Sequence, residues 1–189
     1  MCPFPYTGGK ARAAAEVWRR FGDPKNYVEP FFGGGAVLLG RPVWGGGRTE
    51  TVNDLDSLLA NFWRALKLHP RKLARAADYP VSELDLHARH AWLARSRNDI
   101  AEQMRSSEAW CDTRVAAWWV WGISQWIGGG WCGGGGFSRQ RPELDGRGVH
   151  RGGPNGRAEL LRRHYHDLAA RLEGVGSSAA TGAGRSPPP

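Results

Sequence analysis

Residues 27–39 read YVEPFFGGGAVLL. A short apolar run ends in Glu29 and Pro30, two phenylalanines follow, and Gly33, Gly34 and Gly35 lead into a second apolar run. The pattern predicts a strand, a tight turn and a helix. Glycine lets backbone approach a ligand closely, and open parallel sheets bind ligands at the carboxyl ends of their strands. The turn is not a GxGxxG fingerprint.

Downstream, residues 49–70 read TETVNDLDSLLANFWRALKLHP. A strand is expected to end at Val52. A helix follows with Leu55, Leu58, Leu59, Phe62 and Leu66 on one face, and Pro70 stops it. Residues 27–69 thus alternate strand, helix, strand, helix, which argues for a parallel α/β sheet. Asp54 closes the second strand, where a carboxylate can bond ribose hydroxyls or a cationic amine. A plain turn with Asp54 as helix cap would produce the same pattern.

Upstream, PYTGGK at residues 5–10 sets Tyr6 and Lys10 around a glycine turn. It lacks the spacing of a phosphate-binding P-loop. Lysine beside a ligand carboxylate and an aromatic beside a flat ring would explain the pair; an N-terminal arm packed on the sheet would too. Ala14, Val17, Trp18 and Phe21 then fall at helical spacing, and Gly22-Asp23-Pro24 ends that helix.

Residues 71–105 are polar and predicted helical. Residues 112–127, DTRVAAWWVWGISQWI, form an aromatic helix in which Trp118, Trp119 and Trp121 are expected in the core. Residues 128–157 form a long loop rich in glycine and arginine. Leu161, Tyr165, Leu168, Leu172 and Val175 make one stripe of a helix over 158–175. Residues 177–189 are low in complexity and expected to be disordered.

The chain has 189 residues, 26 Lys+Arg against 18 Asp+Glu, and a net charge of +8. Such a basic chain without a lipid-spanning run is expected to meet a polyanion, nucleic acid above all. Cys2, Cys111 and Cys132 are too few and scattered for a disulfide framework or zinc site. The pairs His87/His90 and His164/His166 lack completing ligands, so no metal is expected. No signal peptide or membrane-spanning run is visible, so a cytoplasmic setting is expected.

PYTGGKAR, VEPFFGGGAVLL and NDLDSLLANFWRAL, in that order and spacing, resemble the start of Dam-type N6-adenine DNA methyltransferases. The resemblance is close over residues 3–70 and looser over 110–175. It implies an incomplete Rossmann-like methyltransferase sheet (residues 1–74 and 156–176) with a helical DNA-recognition insertion (residues 75–155). It further implies S-adenosylmethionine as cofactor, bound by Tyr6, Lys10, Glu29, Phe31, Gly33, Gly35 and Asp54. Duplex DNA is the implied partner. Trp131 or Phe137 would stack on bases, and Arg139, Arg141, Arg147, Arg151 and Arg157 would contact phosphates. A non-catalytic DNA- or cofactor-binding module, or an RNA-binding protein using the glycine–arginine loop, would share these features.

One family feature is missing. The Asp/Asn-Pro-Pro-Tyr signature that holds the flipped adenine does not occur, so no catalytic residue is assigned. Where the family continues into further strands, this chain reads GSSAATGAGRSPPP. Serine, alanine, threonine and glycine codons read one base earlier allow a segment such as V-V-C-G-D-W, a plausible strand and acidic turn. The expectation is therefore a frame shift near Gly176, a chain short of its catalytic strand and poorly stable alone, weak or absent methyl transfer, and a complementing C-terminal fragment as a candidate partner. Resequencing the locus is expected to restore the longer frame; clean reads with a stop directly after Pro189 would contradict it.

Overall fold

The computed structural model describes residues 2–6, 8–126, 130–132 and 158–177. Phe137, Arg139, Arg141, Arg147, Arg151, Arg157 and the segment 178–189 lie outside the described residues. The architecture is mixed α/β. Strands β1 (Asn26–Glu29), β2 (Thr49–Val52) and β3 (Val175–Ser177) form a parallel sheet in the order β1-β2-β3. The register pairs Glu29 with Val52, and Val52 with Ser177.

The helices are α1 (Ala14–Phe21), α2 (Ala36–Leu39), α3 (Ser57–Leu68), α4 (Pro70–Ala77), α5 (Glu83–Ser106), α6 (Thr113–Gln125) and α7 (Ala158–Arg171). The expected alternation over residues 27–69 is present as β1, α2, β2 and α3. Helix α3 is central, touching α4, α5, α6 and α7. Its i, i+4 apolar stripe buries Leu58, Leu59, Phe62 and Leu66 completely. Phe62 meets Phe4, Trp119 and Tyr165 at ring-centroid distances of 5.1, 5.7 and 6.0 Å. One hydrophobic cluster runs from Phe4 through the sheet and α3 to α5, α6 and α7. Trp119 and Trp121 lie in it as expected, with Trp118 packed at its margin.

Four local expectations change. Leu55 is 80% exposed, because the α3 N-cap is Asp56, whose carboxylate accepts from the Leu58 and Leu59 amides. The polar stretch 71–105 is two helices, broken around Pro80, which has no amide to donate. The last helix ends at Arg171, and Val175 is buried as the first residue of β3 instead. Ser177, assigned to a disordered tail, is the last residue of that strand.

The amino ends of the strands carry a buried ion network. Glu50 is 4% exposed and Arg41 4% exposed. The Arg41 Nη1 donates to Glu50 Oε1 (3.0 Å), and Arg171 donates to both Glu50 oxygens (2.7 and 2.9 Å). Arg171 also donates to the Leu38 carbonyl (3.1 Å), so α7 is fastened to β2 and α2 at once. Burial pushes the Glu50 carboxyl up, but the hydrogen bonds from Arg171 and Arg41 outweigh it and hold it below its ordinary value.

Glu50→Gln leaves two guanidinium groups short of their counter-charge and is expected to cost about 3–5 kcal/mol. A folded value below the unfolded one means the stabilisation is full above about pH 4.5 and fades as pH falls through the folded value. Urea melts across the acid range should show the gap between wild type and variant narrowing downward in pH; a constant gap would contradict this.

Candidate functional site

β1 and β2 are adjacent and parallel, so the turns that follow them leave the sheet at the same edge. The strand-end residues Glu29 and Val52 are register partners. Backbone hydrogen bonds zip the two turns together: Asn53 N donates to Glu29 O (2.9 Å) and Phe32 N to Asn53 O (2.9 Å).

Side chains then fix the glycine turn. The Gly33 amide donates to Asp54 Oδ2 (2.8 Å), and the Gly33 carbonyl accepts from Trp63 Nε1 (2.9 Å). Gly33 has φ +56° and Gly35 φ +70°, backbone that a side chain strains. A Cβ on Gly33 would lie 2.9 Å from the Tyr6 ring, and one on Gly35 within 3.0–3.1 Å of the Phe32 and Trp63 rings. Tyr6 thus packs against the turn. Its phenol is pushed up by burial and then by the nearby Asp54 and Asp56 carboxylates.

Lys10 reaches the same turn from the N-terminal segment. Its ammonium donates to the Phe31 carbonyl and stands 3.0 Å from Glu29 Oε1. Glu29 is only 5% exposed. Its Oε2 accepts from the Tyr27 hydroxyl (3.1 Å), while Oε1 is buried without a hydrogen bond and faces only the lysine charge. Phe32 is buried, whereas the Phe31 ring is 73% exposed.

Tyr6, Lys10, Glu29, Gly33, Gly35 and Asp54 are therefore gathered at one sheet edge, with Phe31 exposed on its rim. Asp54 is not the helix cap. Its Oδ1 accepts from Asp56 N (3.0 Å) and its Oδ2 from Gly33, so it ties both turns to each other.

Trp131 is placed differently from the expectation that it stacks on a base. It is 8% exposed, its indole donates to the Trp119 carbonyl (3.1 Å), and its ring fills the space over Gly122. A Cβ at Gly122 would sit 1.9 Å from that ring. A ring enclosed in this way is not presented to nucleic acid.

Tyr27, Asn53, Asp56, Trp63 and Arg97 belong to the framework of the site without having been singled out from sequence. Asp56, directly before an apolar helical run, carried an N-cap signal. Trp63 needed a partner for a buried indole N–H, but nothing local said which.

Chemically, the edge offers a buried carboxylate oxygen lacking a hydrogen bond, a half-exposed ammonium, and backbone without side chains. That set suits a zwitterionic or cationic small molecule. Among the described residues there is no group of three or more metal-ligating side chains. No helix there is long and apolar enough to cross a membrane.

An α/β chain in which two βα turns and an N-terminal lysine converge at the carboxyl ends of two parallel strands defines the class. The family follows from comparison: the chain belongs to the D12 class N6 adenine-specific DNA methyltransferases, whose family model matches residues 6–116. It is also 29% identical over 102 residues to a DNA N-6-adenine-methyltransferase of Escherichia phage P1. That match covers 51% of this chain and 13% of the phage protein.

Gly33→Ala is expected to destabilise the chain by about 1–3 kcal/mol, because alanine must adopt positive φ and displace Tyr6. Gly34→Ala, whose Cβ would meet Tyr6 at 3.3 Å without positive φ, should cost less. Thermal melts of the two variants decide this, and an equal loss at both positions would contradict it.

Proposed function

We propose that this chain carries the S-adenosylmethionine cradle of a DNA adenine N6-methyltransferase, built on a Rossmann-like sheet. The observation that supports it most is the convergence of the Lys10–Glu29 pair and the Asp54-braced glycine turn on one sheet edge. Glu29 Oε1 has acceptor capacity for the ammonium of the cofactor's methionine part, and Lys10 has exposure enough to meet its carboxylate. Asp54 stands where a ribose hydroxyl could add to its two backbone partners. Gly33 and Gly35 admit the ligand close to backbone, and Phe31 covers it from the rim. When bound, the cofactor supplies a sulfonium methyl group.

The substrate we propose is adenine in duplex DNA, with residues 75–155 as the DNA-recognition block and the arginines of its glycine-rich stretch on phosphates. The lack of Asp/Asn-Pro-Pro-Tyr in these 189 residues leaves the flipped base without an assigned polar anchor. Methyl transfer is therefore proposed to need a complementing C-terminal segment. The same lack favours a second reading, a binding module that retains cradle and charge without chemistry.

Calorimetry should find S-adenosylmethionine binding to the wild type, weakened at least about tenfold in Glu29→Gln and Asp54→Ala. Undiminished affinity in both variants would refute the cradle. Transfer to an adenine-containing duplex only after adding the C-terminal fragment would favour the enzyme; none under either condition would favour the module.

A further inference from the structure

Asp56 does more than a helix cap requires. Its Oδ1 accepts from the Leu58 and Leu59 amides (3.0 and 3.4 Å), which completes the cap. Its Oδ2 accepts from Arg97 Nη2 at 2.7 Å, a residue 41 positions away in the middle of α5. Ser57 Oγ donates to the Arg97 carbonyl (3.0 Å), so side chain and backbone of one α5 residue both meet the start of α3.

The placement has a cost. Arg97 Nε is buried without a hydrogen bond, although the side chain as a whole is one-third exposed. An unpaired buried donor opposes folding, so the ion pair holds the guanidinium against that penalty. Leu93 and Ile100, at i−4 and i+3 from Arg97, are buried and fix the rotation of α5. Asp56 N in turn donates to Asp54 Oδ1, and Asp54 Oδ2 accepts from Gly33 N. An unbroken chain of hydrogen bonds therefore runs from α5 through Asp56 and Asp54 into the glycine turn. Arg97 also influences the phenol of Tyr6, the ring that lies on that turn.

We propose that Arg97 is a positioning residue for the ligand cradle, through which engagement of duplex DNA on the α5–α6 block is transmitted to the glycine turn. The link to DNA rests on the function proposed above; the positioning role rests on the hydrogen-bond chain alone. Because α5 and the cradle share this chain, a duplex that favours one position of α5 must change affinity for the small molecule, and the small molecule must change affinity for duplex by the same factor.

Three variants separate the ion pair from the cap. Asp56→Asn keeps a good N-cap while removing the counter-charge. Arg97→Gln removes the donor fork, and Arg97→Lys restores charge without it. Residue-resolved amide exchange should show Gly33 exchanging about fivefold faster in Arg97→Gln and in Asp56→Asn, no faster still in the double variant, and partly restored in Arg97→Lys. Unchanged exchange at Gly33, or equal acceleration at Gly33 and throughout α7, overturns the positioning role.

Calorimetry of S-adenosylmethionine with and without a short adenine-containing duplex tests the link. Duplex should raise affinity about fivefold in the wild type and leave it unchanged in Arg97→Gln. Binding that ignores duplex in the wild type overturns the link. A wild type that binds no S-adenosylmethionine refutes the proposed function, while a response at Gly33 still supports the positioning role.

Discussion

The 2.8 Å hydrogen bond from the Gly33 amide to Asp54 Oδ2 is the contact on which the site depends. Two consecutive βα turns leave the sheet side by side, and each carries backbone groups that no helix or strand satisfies. Asp54 satisfies one from each turn, and Trp63 takes the Gly33 carbonyl. The positive φ of Gly33 and Gly35 is held by these partners. Without the bridge the Gly33 amide loses its acceptor, and the surface against which Tyr6 packs is held only by the backbone bonds and Trp63.

The two ends of the sheet divide the work. At the amino ends, buried Glu50 is paired with both Arg41 and Arg171. At the carboxyl ends, Glu29 is as deeply buried, yet one oxygen lacks a hydrogen bond and the facing lysine is half exposed. Both oxygens of Glu50 are taken up by guanidinium donors, whereas Glu29 Oε1, beside glycine backbone, keeps acceptor capacity that a ligand can use. The family assignment and this asymmetry point in the same direction, although they rest on different observations.

Much of this was readable from the sequence because it is local. A strand ending in Glu-Pro-Phe and running into three glycines places a turn at the sheet's carboxyl end, and Asp54 at the end of the next strand follows from the same alternation. Side-chain partners at long range were not readable. Trp63 meets Gly33 across 30 positions and Arg97 meets Asp56 across 41, and no periodicity encodes either. Trp131 shows the opposite failure. Its glycine neighbours suggested an exposed loop tip, but the informative glycine was Gly122, within the apolar α6. Only a residue without a side chain leaves room there for an indole. That α5 and α6 share one hydrophobic cluster with the sheet was likewise not encoded in any local pattern.

We propose that the N-terminal lysine and the two βα turns make one binding site for S-adenosylmethionine. Backbone amide chemical shifts followed during titration with that cofactor test it most directly. The responding amides should cluster at Tyr6–Lys10, Phe31–Gly35 and Asn53–Asp56, while those of α4 and β3 stay in place. Saturable shifts centred elsewhere, or none at Gly33 and Gly35, would contradict it.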